Sequence, residues 1–350
     1  MDLAALEASA RQLLPEATYN YLAGGADDEL TLADNVAAWS RYQLRPHVLR
    51  DVSTVDLSTS LLGTLMASPI HVAPTAYHRL LHAEGEVATA RAAAAAGSVF
   101  TLSTVSTVSI EDVANAVPEG RHWFQLYVHS DRDLTVWLVQ RAEAAGFSAL
   151  VLTVDVPVLG QRRRDGATGF SLPPGVEPAN LVGHPGGQAA TSSLVNFAAT
   201  AFDPSLTMDA IGWLREHTRL PIVVKGVLRG DDAAACVAAG ASAVQVSNHG
   251  GRQLDGVLAT ADALADVAAA VGDRAEVYVD GGIRRGTDVL RALALGARSV
   301  FVGRAVLWGL AVNGAEGARA VLSGLAAETA RAFQLAGVRS CAETGSDLLA

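Results

Sequence analysis

The run Ser247-Asn248-His249-Gly250-Gly251-Arg252-Gln253-Leu254-Asp255 sets an imidazole, two glycines and a guanidinium side by side. Imidazole alone among side chains has an unperturbed pKa near neutrality, about 6.5, and so takes up a proton there. A guanidinium offers a planar fork that matches the two oxygens of a carboxylate. The chemistry on offer is proton transfer beside a bound anion. Similar polar groups recur at Pro74-Thr75-Ala76, Ser103-Thr104, Gln125, Tyr127, Thr153, Asp155, Lys225, Asp280-Gly281-Gly282 and Gly303-Arg304. Each has an ordinary explanation when taken alone. A lone histidine is usually a satisfied core residue, Asp155 in Thr153-Val154-Asp155-Val156-Pro157 reads as a cap, and Arg162 in Arg162-Arg163-Arg164 reads as surface.

What sets these groups apart is their position, because each follows a short β-branched apolar run. From residue 69 onward such runs alternate with Ala/Leu/Val helical patterns, the mark of βα units on a parallel sheet. The expected strands are Pro69-Pro74, Val99-Thr104, Trp123-Val128, Ala149-Val156, Pro221-Gly226, Ala243-Ser247, Glu276-Asp280 and Ser299-Gly303. Helical patterns separate them, several ending in glycine as at Gly97, Gly146, Gly240 and Gly296. Eight units in roughly 250 residues predict an α/β fold, a closed (β/α)8 TIM barrel whose active site lies at the C-terminal strand ends.

One domain is expected over 1–350, with the barrel at 67–340. An extension at 1–66 precedes it, comprising a helix near Leu3-Leu14 and a small hairpin within Leu49-Leu65. The loop after the fourth barrel strand, 172–204, is rich in Gly, Pro, Ala and Ser without a period, which predicts a lid or partial disorder. The last helical pattern, Glu316 to Gly337, shows core periodicity at Leu322, Leu325, Ala326 and Phe333.

Of the 350 residues, 26 are basic and 36 acidic, a formal charge of -10 that repels nucleic acid and anionic lipid at long range. Mean hydropathy of +0.26 reflects alanine-rich stretches such as Ala92 to Ala96. No run approaches the roughly 20 apolar residues of a transmembrane helix. Cys236 and Cys341 form no metal or redox spacing, and the start lacks a secretory pattern, so a cytoplasmic protein is expected. His78 and His82 lie four apart, but no H-E-x-x-H accompanies them and no metal is expected. Gly281 to Gly286 does not match G-x-G-x-x-G, which argues against dinucleotide binding.

The sequence resembles the FMN-dependent 2-hydroxy-acid oxidase and dehydrogenase family, which includes glycolate oxidase, lactate oxidase and mandelate dehydrogenase. Ser247 to Asp255 matches its active-site signature. The likeness continues through Tyr19 to Gly25, Ala73 to Ala76, Phe124 to Tyr127, Thr153 to Pro157, Val224 to Gly226 and Asp280 to Gly286, and spans Leu13 to Gly337. The resemblance implies FMN as cofactor, oxidation of a 2-hydroxy acid, and a homotetramer. It implies His249 as base, Asp155 as its partner, Arg252 and Arg162 as the carboxylate clamp, and Tyr21 and Tyr127 as substrate-contacting hydroxyls. It implies Lys225 as the cation beside the flavin ring. Pro74, Thr75, Ala76, Ser103, Gln125, Thr153 and Ser247 would hold the ring, and Asp280, Gly281, Gly282, Arg284, Gly303 and Arg304 the rest of the cofactor with its phosphate.

Substrate choice is read from two wall positions. Glycolate oxidases carry Trp and Met where this sequence has Val105 and Tyr77. Loss of the indole makes room for a larger side chain, so an (S)-2-hydroxy acid of the mandelate or 4-hydroxymandelate type is expected. Lactate, glycolate and longer aliphatic acids are the alternative. Ala76 favours O2 as acceptor, giving hydrogen peroxide, over a dehydrogenase with another acceptor. A noncatalytic ligand-binding barrel would leave His249, Asp155 and Arg252 idle.

Overall fold

The computed structural model describes residues 1–187 and 202–350. A short antiparallel hairpin, β1 (Thr59–Leu61) and β2 (Thr64–Met66), precedes eight parallel strands. These are β3 (Ile70–Thr75), β4 (Val99–Leu102), β5 (Arg121–Leu126), β6 (Leu150–Thr153), β7 (Ile222–Val227), β8 (Ala243–Val246), β9 (Glu276–Asp280) and β10 (Ser299–Val302). They pair in chain order, and β10 returns to β3 to close the barrel. This is the expected (β/α)8 architecture, with each expected strand present and its ends moved by a few residues.

Strand periodicity explains where the polar groups go. Successive side chains alternate between the two faces of a strand. Ile70, Val72, Phe100, Leu102, Phe124, Leu150, Leu152, Val224 and Val244 point outward into the main core beneath the helices. Val99, Trp123, Val151, Val223, Ala243, Tyr278 and Phe301 form a second core inside the barrel. Counting in twos from those inward residues reaches Ser103, Gln125, Thr153, Lys225, Gln245, Ser247 and Asp280 at or just past the strand ends. The same alternation that fills the barrel's lower half with apolar groups therefore lines its top with polar ones. Leu61 and Met66 of the hairpin plug the opposite end. Leu62 and Gly63 make the turn, both with positive φ, as a two-residue hairpin loop requires.

Three features of the chain escaped the sequence patterns. Helices Glu16–Ala23 and Leu30–Ala37 follow the first helix, Leu3–Leu13, so the extension is more helical than expected. The last helix begins at Arg304 rather than Glu316 and kinks at Asn313 and Gly314, whose φ/ψ are non-helical. A short helix, Arg163–Thr168, opens the long loop after β6.

That loop is fastened in its first half. The buried Asn180 amide donates to the backbone oxygens of Ser103 and Thr104 and to Ser106 Oγ, while its Oδ1 accepts from Ile110 N at 2.8 Å. Of the expected lid segment, residues 188–201 lie outside the described residues. Among the described residues, no helix is long and apolar enough to cross a membrane.

Candidate active site

A cavity opens at the C-terminal strand ends, lined in part by the extension and by the loops after β6 and β8. His249 reaches it from a backbone bend in which His249, Gly250 and Gly251 have φ of 57°, 66° and 74°. Glycine is required after the histidine for two reasons. A side chain at Gly251 would stand 2.6 Å from Leu32 N, and left-handed φ is costly for residues with a Cβ. The bend is held from below, since His249 N donates to Ser247 Oγ at 3.2 Å and Ser247 Oγ donates to Asp280 Oδ1 at 2.8 Å.

His249 Nδ1 lies 2.9 Å from Asp155 Oδ1. An ionised carboxylate only accepts, so the shared proton sits on Nδ1, and Nε2 is left with its lone pair available. Burial lowers the His249 pKa and Lys225 lowers it further, against the upward pull of Asp155, so the ring is neutral at pH 7. For Asp155, burial raises the pKa, but His249 and Lys225 together outweigh it and keep the carboxyl ionised. Lys225 Nζ stands 4.0 Å from Asp155 and 3.8 Å from Asp280, a buried cation between two acids.

Cations gather at the same cavity. Arg252 donates from Nη1 to the backbone oxygens of Tyr21 and Gly24 and lies over the Tyr21 ring at 5.1 Å. Arg304 donates to the backbone oxygens of Leu22, Gly250 and Gly24. Burial, then the neighbouring arginines, lowers Arg252 to about 10 and Arg304 to about 9. Among the described residues, none of Arg162, Arg252, Arg284 or Arg304 has a carboxylate within ion-pair distance. Partly buried guanidiniums without a counter-ion, three of them (Arg252, Arg284 and Arg304) held by backbone carbonyls, form a site built for an anion. The three side chains of the Arg162-Arg163-Arg164 run take different directions. Arg162 faces the cavity, while Arg163 pairs with Asp28 and Arg164 with Glu29 near the surface.

The remaining walls are polar on one edge and aromatic on the other. Ser103 Oγ donates to Gln125 Oε1 at 3.2 Å, and Gln125 Nε2 donates to Thr153 Oγ1 at 3.0 Å. Tyr127 stacks on Phe202 with ring centroids 4.3 Å apart, and Tyr21 stacks on Phe170 at 4.2 Å. Burial raises the Tyr127 pKa, so its hydroxyl is protonated and able to donate.

The structure brings Tyr21, Pro74, Thr75, Ala76, Ser103, Val105, Gln125, Tyr127, Thr153, Arg162, Lys225, His249, Arg252, Asp280, Gly281, Gly282, Arg284, Gly303 and Arg304 to this cavity. Asp155 and Ser247 stand behind it, acting through His249 and Asp280. Tyr77 is a correction to the expected pocket wall. Its backbone is left-handed, with φ of 58°, and its fully buried ring packs toward Tyr21 instead of lining the cavity. Phe202 and Leu159 line the cavity without having been foreseen, because both come from the aperiodic loop after β6. Among the described residues, no cluster of His, Cys, Asp or Glu suits a metal, and His78 instead bonds to Thr75 and Thr89.

A closed parallel barrel with a neutral histidine paired to a buried carboxylate, next to an unneutralised arginine cradle, defines a barrel enzyme that works on and with anions. The chain belongs to the FMN-dependent dehydrogenase family, whose model matches residues 10–350, and FMN is its cofactor. It is 50% identical over 347 residues to the L-lactate oxidase of a Nostoc species, covering 96% of this chain and 94% of that one. It is 48% identical over 340 residues to human 2-hydroxyacid oxidase 1, covering 95% and 92%. A solved mandelate oxidase with (S)-4-hydroxymandelic acid superposes with a TM-score of 0.92 at 46% identity, covering 98% of this chain and 96% of that one.

The residues fit FMN. Buried Arg284 and Arg304 supply positive charge for a phosphate near the loops after β9 and β10, the usual phosphate position in this fold. The Ser103–Gln125–Thr153 row offers the alternating donors and acceptors that a flavin's polar edge needs.

Proposed function

We propose that the protein oxidises (S)-2-hydroxy acids bearing an aryl side chain to 2-oxo acids, with O2 reduced to hydrogen peroxide. The observation that carries this reading is the His249–Asp155 pair at the same cavity as Arg162, Arg252, Arg284 and Arg304. Arg252 and Arg162 hold the substrate carboxylate, and the Tyr21 and Tyr127 hydroxyls contact its polar groups. His249 takes at Nε2 a proton released as the alcohol carbon is oxidised, and Asp155 stabilises the resulting imidazolium. Lys225 places a fixed cation beside the ring held by Pro74, Thr75, Ala76, Ser103, Gln125 and Thr153. Asp280, Gly281, Gly282, Arg284, Gly303 and Arg304 hold the remainder of FMN. Bound FMN would supply the two-electron redox chemistry between the alcohol and O2.

The aryl preference is supported by Val105, Leu159 and Phe202, apolar residues of the cavity lining, which contains no indole. The likeness to mandelate oxidase supports it too. The L-lactate oxidase relative favours a second reading, in which the substrate is a short aliphatic 2-hydroxy acid. Two free cysteines accord with a reducing cytoplasm, and the proposal includes one domain over 1–350 and a homotetramer.

The test is the visible spectrum of the purified protein under anaerobic conditions before and after (S)-mandelate, with air readmitted last. Bleaching followed by rapid recovery in air is expected. Bleaching by (S)-lactate but not (S)-mandelate would move the assignment to the second reading.

A further inference from the structure

Glu86 is the first residue of helix Glu86–Ala95, and its side chain is fully buried. Among the described residues no cation pairs with it. Its Oε1 accepts from His78 N at 3.0 Å and Thr107 N at 2.9 Å, and its Oε2 accepts from Thr107 Oγ1 at 2.5 Å. Burying a carboxylate is unfavourable unless every lone pair is well used, so such a group marks a place where the fold needs its bonds.

The donors belong to two different loops. His78 follows Tyr77, the buried residue held left-handed just past Thr75 and Ala76. Thr107 follows Ser103 and Val105, and its hydroxyl also accepts from Arg79 N at 3.2 Å. His78 carries the connection forward, with Nε2 2.7 Å from Thr75 Oγ1 and Nδ1 2.9 Å from Thr89 Oγ1. One carboxylate thus ties the loop after β3 to the loop after β4. Those loops place Thr75, Ala76, Ser103 and Val105 on the cavity wall, whereas Glu86 itself stands outside the cavity. Left-handed backbone at a bulky residue persists only where its surroundings over-determine it, and such positions gather at functional sites.

We infer that Glu86 is a positioning residue: by bonding His78 N and Thr107 it sets the separation of the two wall loops that receive the FMN ring and the substrate side chain. The inference rests on the proposed placement of the ring against Thr75, Ala76 and Ser103.

The test compares Glu86→Ala, Glu86→Gln and Thr107→Val with the unmodified protein. FMN affinity is measured on stripped protein, circular dichroism in the flavin bands on the reloaded protein, and KM and kcat with (S)-mandelate or (S)-lactate. Glu86→Ala weakens FMN binding by about tenfold or more, changes the flavin dichroism and raises KM more than it lowers kcat. Glu86→Gln stays within about threefold, because its amide oxygen keeps both backbone donors and its NH2 donates to the Thr107 hydroxyl. Thr107→Val removes one of the three bonds to Glu86, together with the bond that the hydroxyl accepts from Arg79 N, and falls between them.

A folded Glu86→Ala protein with FMN affinity, dichroism and KM within about twofold of the parent overturns the inference. So does Glu86→Gln as impaired as Glu86→Ala, since charge rather than bonding would then matter. If Glu86→Ala does not fold, Thr107→Val decides, and parental values there overturn it. Failure of the ring placement itself appears separately, as weak flavin dichroism in the unmodified protein, and overturns both.

Discussion

Replacing Asp155 with Asn removes a charge while leaving a neutral acceptor of the same shape at His249 Nδ1. In the parent that contact is 2.9 Å, with Asp155 buried and Lys225 at 4.0 Å. When His249 becomes imidazolium, two opposite charges about 4 Å apart at an effective dielectric near 20 attract by about 4 kcal/mol. Asn keeps part of that as an ordinary hydrogen bond, so the loss falls at about 2–4 kcal/mol, or roughly 30- to 1000-fold in the rate of flavin reduction. The pH profile adds a signed check. Neutral His249 is the active form, so the rate rises with pH through its pKa, which burial places below the usual 6.5. Asp155 raises that pKa, so its removal moves the acid limb lower still while the plateau falls. Anaerobic stopped-flow reduction across pH 4.5 to 8 measures both. A plateau within about threefold of the parent, or an acid limb that moves upward, would refute the pairing argument.

The wall and the glycine bends give two further predictions. Val105→Trp fills the space beside the substrate side chain and lowers the mandelate-to-glycolate ratio of kcat/KM by about tenfold or more; an unchanged ratio counts against Val105 as a wall residue. Gly282→Ala puts a Cβ 1.7 Å from Asn35 O at a φ of +77°, where neither backbone can yield cheaply. A stability loss of about 3 kcal/mol or more is expected in thermal denaturation, and a loss under about 0.5 kcal/mol would show that the bend is not required.

The barrel was readable because its strands are buried on both faces and appear as β-branched runs, each followed by a helical pattern and polar strand-end residues. His249, Arg252 and Asp155 were recognisable as a set from motif and resemblance. Tyr77 was misplaced for a physical reason. Its direction depends on a left-handed φ, beside which His78 N bonds to Glu86 eight residues on, and side-chain type and periodicity do not record either feature. Phe202 was missed because it comes from a loop without periodicity, and its place depends on stacking against Tyr127. Helix Leu30–Ala37 was missed because no side-chain cap announces it. It follows Glu29 in the left-handed region, and Asp255, distant in the chain, accepts from Leu30 N and Thr31 N. The first half of the last helix was lost at the Asn313–Gly314 kink, which interrupts its period.

The most direct measurement is anaerobic reduction of FMN by (S)-mandelate and (S)-lactate in the His249→Ala protein, followed by its visible spectrum. The variant should remain yellow, because His249 is not among the groups that hold FMN, and it should fail to bleach on the time scale at which the parent does. Bleaching at the parental rate with either acid would remove His249 from the role of base and contradict the mechanism built on its pair with Asp155.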